Sequence, residues 1–371
     1  MKVAIVIHDI NRRGGQERST LEIVEGLSRK FDCHVFASSA DGLPQNVKFH
    51  RVPVLLRRPL FVKDFVFRIF ASIQVYFGNF DLVHATGASV FKADIFTMQF
   101  LHKRWNAERK RLPSLSFMRH LKEFVQVTID RISEAVVIKL NRTATYVAIS
   151  DQVRRDLTEL YGLLNIISIR HGVNLDEFTP ALTNVDSTRD QLGLPKNKKL
   201  LLFVGAFERK GLFFLLKALK APFQNYQDWD LVVVGQGPIE RARHECRNLG
   251  IENRVHFLGS RNDVARVYSA SDLFILPSLY DPFGLVAIEA LASGCPIIVS
   301  KDSGSFDLIK EGTNGFGLKD ATNLNELETV LKKSFSSPDL SSMRVAARQS
   351  VAGERWSAKI DQYVSAYEQL L

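Results

Sequence analysis

The stretch Asp281-Pro-Phe-Gly-Leu-Val-Ala-Ile-Glu289, continued by Ala290-Leu-Ala-Ser-Gly-Cys-Pro296, decides how this chain is read. It follows an apolar run, Leu273-Phe-Ile-Leu276, with the pattern of a buried strand closed by Pro277-Ser278. From Gly284 to Ala292 the pattern is helical, and Gly294 with Pro296 beyond it supplies a helix stop. Asp281 therefore falls in a strand-to-helix loop and Glu289 inside the helix. Phe283, Gly284, Leu285 and Val286 occupy the helix start, where backbone N–H groups without intrahelical acceptors and the positive end of the dipole gather. Carboxylates there accept hydrogen bonds from sugar and ribose hydroxyls, and the helix end attracts phosphate. Together they make the chemistry expected of a nucleotide-sugar pocket.

Toward the N-terminus a second cluster repeats the arrangement. Leu200-Leu-Leu-Phe-Val204 is another buried-strand run, leading into Gly205-Ala-Phe-Glu-Arg-Lys-Gly211 before a helical pattern opens at Leu212. Two adjacent cations, Arg209 and Lys210, in a glycine-flanked loop at a strand end suit a diphosphate. The guanidinium gives forked hydrogen bonds to phosphate oxygens, and the ammonium adds a compact point charge. Further motifs keep the same order along the chain. Lys2-Val-Ala-Ile-Val-Ile7 leads to Gly14-Gly15-Gln-Glu-Arg-Ser, which opens a helix running to about Arg29. Val232-Val-Val-Gly235-Gln-Gly237-Pro238 and Val255-His-Phe-Leu-Gly259-Ser-Arg261-Asn-Asp263 are strand-and-loop pairs, and a helical tail runs from Trp356 to Leu371.

On these motifs the chain resembles the retaining glycosyltransferases of family 4, which have the GT-B fold, and within them the lipopolysaccharide core glucosyltransferase type. The family's Arg and Lys fall on Arg209 and Lys210, and its E-x7-E falls on Asp281 and Glu289. Asp281 stands where Glu is commoner, shortening the reach to the donor sugar by one methylene. The resemblance implies that the backbone of Gly14 and Gly15 lies under the donor phosphates. It also implies that the loops carrying Gly205, Gly235 and Arg261 hold the nucleoside diphosphate. It implies two doubly wound α/β (Rossmann-like) domains facing across a cleft, with the tail helix crossing back to the first. The expected boundaries are 1–178 with 356–371 for an acceptor domain, and 179–355 for a nucleotide-sugar domain, since Asn, Asp, Ser, Thr and Pro accumulate from Thr179-Pro180 to Pro195.

The expected reaction is transfer of a hexose, glucose from UDP-glucose, to a hydroxyl of a lipopolysaccharide core or related glycolipid, with retention of anomeric configuration. Neither cofactor nor metal is expected: the resemblance implies none, and the cations at 209 and 210 neutralise the diphosphate instead. Arg209, Lys210 and Asp281 are the expected catalytic groups. Phe283, Gly284, Leu285, Val286 and Glu289 are expected to bind the donor. A nucleotide-sugar epimerase of the same fold and a non-catalytic, membrane-associated sugar-nucleotide binder are the alternatives. In the first half, the family carries a histidine or an acid near the donor sugar where this chain has Gln99, a candidate for a sugar contact. His84 and His102 are left open between structural and catalytic roles.

Composition agrees with two domains: 371 residues exceed one ordinary core. The charge is unevenly placed. Residues 1–180 hold 26 Lys/Arg against 18 Asp/Glu, whereas 181–371 hold 23 against 22. Within 101–142 there are 10 basic residues against 4 acidic. That stretch, with Phe100 just before it, interleaves Lys103, Arg104, Trp105, Arg109, Lys110 and Arg111 with Leu115, Phe117, Met118, Leu121 and Phe124. A smaller version runs from Arg57-Arg58 to Arg68. Such interleaving fits a peripheral surface for anionic lipid; a solvated basic helix packed on the core is the plainer reading. Nucleic-acid binding is not expected, because no RNA-binding signature accompanies the basic residues. The absence of a secretory signal, of a spanning apolar run and of paired cysteine spacings places the expected site of action in the cytoplasm, on the inner face of the membrane.

Overall fold

Short, almost uninterrupted apolar segments form the central strands of both halves, as expected for parallel sheets covered on two faces by helices. The computed structural model describes residues 1–54, 60–112, 117–180, 185–337 and 340–370, and the backbone alone over 117–123. The chain divides into two units, Met1–Gly172 with Trp356–Leu371, and Val173–Arg355.

The first unit contains, in order, β1 (Lys2–Val6), β2 (Asp9–Ile10), α1 (Gly15–Leu27), β3 (Asp32–Ala37), β4 (Ser39–Ala40), β5 (Lys48–Arg51), α2 (Leu60–Gly78), β6 (Leu82–Thr86) and β7 (Ile95–Met98). It continues with α3 (His102–Glu108), α4 (Phe117–Leu140), β8 (Thr145–Ala148), α5 (Asp151–Tyr161) and β9 (Ile166–Ser168). Its main sheet has the order β5-β3-β1-β6-β7-β8-β9, all neighbours parallel, with β2 and β4 forming a separate ribbon.

The second unit contains α6 (Val185–Leu192), β10 (Lys199–Val204), α7 (Leu212–Asn225), β11 (Trp229–Val234), α8 (Ile239–Leu249), β12 (Val255–Gly259) and α9 (Val264–Ala270). Then come β13 (Leu273–Leu276), α10 (Leu285–Ala292), β14 (Ile297–Ser300), β15 (Gly315–Leu318), α11 (Leu324–Phe335) and α12 (Leu340–Ser350). The sheet order is β12-β11-β10-β13-β14-β15, again parallel throughout. Both sheets change direction around a central strand, β1 in one and β10 in the other. Each is a doubly wound α/β sheet, whose ligands bind beyond the carboxyl ends of the strands.

The last helix, α13 (Trp356–Glu368), belongs to the first unit and lies against α1. Ile360, Tyr363, Val364 and Tyr367 enter the same core as Val3, Ile5, Leu21 and Val24. Two hydroxyls fix its angle: Tyr367 is 2.6 Å from Nδ1 of the buried His84, and Tyr363 is 3.3 Å from the Thr97 hydroxyl. The division between units lies six residues before the expected seam at 178/179. Val173 donates to the Glu354 carbonyl (2.8 Å), and Arg348 donates to the carbonyls of Leu175, Phe178 and Ala292. The chain from Val173 to Phe178 is thereby tied into the second unit, although its composition does not mark it.

Candidate functional site

In the second unit the two sequence clusters meet. β10 ends at Val204, and the turn Gly205–Gly211 delivers Arg209 and Lys210 to the first residue of α7. β13 ends at Leu276, and the loop through Leu279, Tyr280 and Asp281 runs beside that turn: Leu279 N–H donates to the Arg209 carbonyl (3.1 Å), and the Arg209 guanidinium donates to the Tyr280 carbonyl (2.9 Å). The approach is close enough that glycine is required at 211, where φ is +83° and a side chain would overlap the Pro277 carbonyl.

The Lys210 ammonium donates to the Asp281 carboxylate, and both side chains are buried. Burial, partly offset by the Asp281 charge, pushes the Lys210 ammonium down to about 8 from its ordinary 10.5. An ion pair shut away from water survives only with good geometry and further hydrogen bonds. The geometry is held by the backbone of Asp281, whose N–H donates to the Asp302 carbonyl (2.9 Å) and whose carbonyl accepts from Gly304 N–H (2.8 Å).

Just beyond lies the start of α10. Gly284 caps it at φ +80°, and a Cβ there would stand 2.7 Å and 2.8 Å from the Ser305 and Ser303 hydroxyls. Those two hydroxyls are 2.7 Å apart. Leu285 and Val286 form the first turn, so their N–H groups have no intrahelical acceptor. Glu289, one turn further on, is buried and accepts from the Tyr268 hydroxyl at 3.2 Å. Arg209, Lys210, Asp281, Gly284, Leu285, Val286 and Glu289 thus gather where β10 and β13 end, with Gly205 at the start of the first turn. Phe283 is buried, 3% exposed.

Other expected residues are engaged elsewhere. Arg261, in the loop after β12, gives both arms of its fork to Asp263 at 2.8 Å each. In the first unit, Gly14 caps α1 in extended conformation, with the Glu17 carboxylate lying against it, and Gly15 is the first helical residue. The Gln99 carbonyl accepts from Ser19 (3.0 Å) and its amide donates to Thr20 (3.1 Å), so the side chain ties the end of β7 to α1. His84 is structural: burial holds it neutral, down to about 3, between Tyr367 and Thr97.

The basic stretch also differs from expectation. Lys103 donates to the Leu160 carbonyl (2.7 Å) and stands over the Tyr161 ring. Arg104 pairs with Glu108 at 3.1 Å, as does Arg111 at 3.0 Å. Arg109 reaches Asn106, and Trp105 is half-buried near Phe100. Only Lys110 of the six is exposed. The α3 charges thus largely fasten this segment to its own unit rather than forming an open cationic face. Apolar side chains are exposed instead on α2 (Phe65, Ile73, Tyr76, Phe77) and α4 (Phe124, Val125, Ile132, Val136, Leu140). Arg57, Arg58 and Leu115, and the side chains of Phe117, Met118 and Leu121, lie outside the described residues. No described helix is long and apolar enough to cross a membrane.

Sequence reasoning missed Tyr268, Ser303 and Ser305. The run Ser303-Gly-Ser305 following a buried strand was the available signal, but it gains meaning only once β14 is known to lie beside β13.

Comparison with known proteins gives two family matches in tandem. The glycosyltransferase family 4 model matches residues 13–177, and that of glycosyl transferases group 1 matches residues 184–350. Among curated relatives, an Escherichia coli UDP-Gal:alpha-D-GlcNAc-diphosphoundecaprenol alpha-1,3-galactosyltransferase is 31% identical over 181 residues, 47% of this chain and 46% of that one. The chain spans about half the length or less of the curated relatives it matches. Among solved structures, WaaG, a glycosyltransferase involved in lipopolysaccharide biosynthesis, has a TM-score of 0.82 at 20% identity, covering 97% of this chain and 98% of its own. Anabaena Alr3699/HepE, solved with UDP-glucose, has a TM-score of 0.74 at 19% identity and covers both chains fully. At such identities the structural likeness establishes the GT-B fold.

Proposed function

Because this chain belongs to the family 4 glycosyltransferases, with a group 1 domain in its second half, we propose that it transfers a hexose from a nucleotide sugar to a glycolipid hydroxyl at a membrane surface. The donor is UDP-glucose, the anomeric configuration is retained, and no metal takes part. The observation that carries this reading is the buried Lys210–Asp281 pair, held against Arg209 at the start of α10. A diphosphate arriving at this corner meets a guanidinium, an ammonium and the N–H groups of Leu285 and Val286. These are preorganised charges aimed at a leaving group.

In the reaction the bond from the sugar C1 to the phosphate oxygen breaks, and a bond from C1 to the acceptor oxygen forms on the same face. The acceptor's proton passes to the departing phosphate. Arg209 and Lys210 stabilise the negative charge that grows on that phosphate. Asp281 orients sugar hydroxyls, and Glu289 accepts from the ribose. A Lys210 ammonium already lowered to about 8 regains its proton affinity beside the diphosphate. Phosphate therefore takes over part of the pairing that Asp281 supplies in its absence, which releases carboxylate lone pairs to the sugar. Peripheral attachment to the inner, anionic membrane face completes the proposal, with the apolar faces of α2 and α4 as the contact.

A panel of nucleotide sugars in a thermal-shift experiment, followed by transfer of labelled hexose to extracted lipids, tests it. UDP-glucose is expected to raise the melting temperature with the logarithm of its concentration and to label a lipid product. Stabilisation without lipid labelling, with an epimerised sugar recovered instead, would replace transfer with epimerisation. Failure of every nucleotide sugar to bind would remove the donor assignment altogether.

A further inference from the structure

We propose that Tyr268 is a positioning residue of the donor site: its hydroxyl holds the Glu289 carboxylate in the orientation that reads the ribose hydroxyls of a nucleoside diphosphate. The inference rests on the glycosyl-transfer reading, in which Glu289 accepts from the ribose, and it names what makes that acceptance selective.

Glu289 is the one charged residue of α10, and it is 3% exposed. A carboxylate withdrawn from water needs hydrogen bonds to stay ionised. The Tyr268 hydroxyl supplies one, donating to Oε2 at 3.2 Å. A carboxylate offers about four acceptor sites, so a hydroxyl held on one oxygen is compatible with further donors from a ligand. The diphosphate corner lies within reach of the same charge. Burial lowers the proton affinity of the Lys210 ammonium, and the Glu289 charge is among those that restore part of it. The carboxylate thus stands between an internal hydroxyl and the lysine proposed to face the phosphates.

The tyrosine is itself held still. It sits in the last turn of α9 and is fully buried. Its ring is tilted against Phe274 of β13 (centroids 5.9 Å apart, 58°) and lies edge-on to Phe178 (5.9 Å, 70°). Arg348 fastens this frame to α10, donating to the carbonyls of Phe178 and Ala292 at 2.7 Å each. A phenylalanine ring would fill the same space among these aromatic neighbours; the hydroxyl adds the donor to Glu289. A glutamate side chain has three rotatable bonds, and ordering them costs entropy that a fixed partner offsets before the ligand arrives. An acceptor fixed in this way rejects an analogue that lacks the hydroxyl, because the carboxylate is then left short of a partner in a dry site. Removing the Tyr268 hydroxyl should therefore cost ribose selectivity and spare diphosphate binding, which falls to Arg209 and Lys210.

UDP and dideoxy-UDP, whose sugar lacks both ribose hydroxyls, titrated calorimetrically against the full chain and its variants, test this. The parent is expected to bind UDP at least about tenfold more tightly than the dideoxy analogue, the size of a hydrogen bond lost from a charged acceptor. Tyr268→Phe is expected to cut that ratio by about threefold or more, weakening UDP and leaving the dideoxy affinity as it was. Glu289→Gln should cut it at least as far, and Tyr268→Phe added to Glu289→Gln should cut it no further, since both act through one carboxylate. Phe335→Leu, in the core of the same unit against Trp229, should lower the melting temperature and keep the ratio. An unchanged ratio in Tyr268→Phe would overturn the positioning role. Equal weakening of both nucleotides, or a ratio that also falls in Phe335→Leu, would overturn it as well, because general loss of packing acts in that way. A parent that binds both nucleotides alike would strike the ribose role of Glu289 and this proposal with it. The expected loss of discrimination in Tyr268→Phe, in a chain that labels no lipid from any nucleotide sugar, would uphold the role of Tyr268 and strike the transfer reading instead.

Discussion

At the scale of single residues, Lys210 and Asp281 carry stability and chemistry together. Removing one partner of a buried ion pair leaves the other charged and dry, at a cost of roughly 3–5 kcal/mol. Lys210→Ala is therefore expected to lower the melting temperature of the second unit as well as turnover, the latter by about 10²–10³, the usual effect of losing one preorganised charge stabiliser. Lys210→Met combined with Asp281→Leu should recover most of the stability and none of the turnover. Calorimetry beside a transfer assay separates the effects, and a fully active, fully stable Lys210→Ala would sink the assignment. The same lysine sets a pH dependence. Its ammonium is complete below about 8 and is lost as pH rises through that value, whereas the unfolded chain keeps the proton to 10.5. Affinity for UDP should accordingly fall above pH 8, by up to about tenfold per unit, because the protonated form binds the diphosphate. Fold stability from this group moves oppositely, rising with pH between 8 and 10.5, where the unfolded state holds the extra proton. A flat UDP affinity from pH 7 to 9.5 would show that Lys210 does not face the diphosphate.

At the scale of elements, α13 and the α2/α4 pair have separable roles. α13 is fixed to the first unit's sheet through Tyr367 and His84, both fully buried. Tyr367→Phe keeps the ring and deletes the partner of His84 Nδ1, so a loss of about 1–3 kcal/mol in the first unit's stability is expected from denaturant titration. No loss would mean that water replaces the hydroxyl. The proposed membrane contact is tested on the same helices. Neutralising Lys103, Arg104 and Arg111 breaks hydrogen bonds and ion pairs inside the unit and should lower stability more than vesicle binding. Tyr76→Ser with Phe77→Ser, at positions 82% and 79% exposed, should do the reverse. Co-sedimentation with anionic vesicles measures both. Release by the charge variants alone would return the contact to α3.

At the scale of the whole molecule, two sheets with two separate cores make two folding units. The side chains proposed for the donor site, Arg209, Lys210, Asp281 and Glu289, all come from the second unit. Scanning calorimetry with UDP at about a hundredfold over its Kd should therefore stabilise the second unit by about 2.7 kcal/mol. The first unit's transition should respond instead to Tyr367→Phe. A UDP effect confined to the first unit would contradict the site. The charge excess also divides by unit, since residues 1–172 with 356–371 hold 27 Lys/Arg against 18 Asp/Glu, and 173–355 hold 22 against 22. That excess favours the encounter of anionic groups with the first unit, since ion pairs remove charges two by two and leave the excess intact.

The sequence by itself determined the elements and their kind. Buried parallel strands read as unbroken apolar runs, and glycine with a following proline marks helix ends, so β10, β13, α7 and α10 were legible, along with the cations and carboxylates at their ends. Those signals are local, fixed by burial and backbone conformation within a few residues. What a side chain bonds to at long range was not legible. Gln99 looked available and is held by α1; Lys103 and Arg104 looked like surface and are turned to α5 and Glu108; Val173 to Phe178 looked like the first domain and are fastened to the second. In the first unit, a cavity lined by His8, Asp64, His102 and Asp130 draws on four separate segments. Its mixed charge arises because folding brings Asp64 and Asp130 beside Arg68, a balance of desolvation and pairing that only the tertiary structure decides.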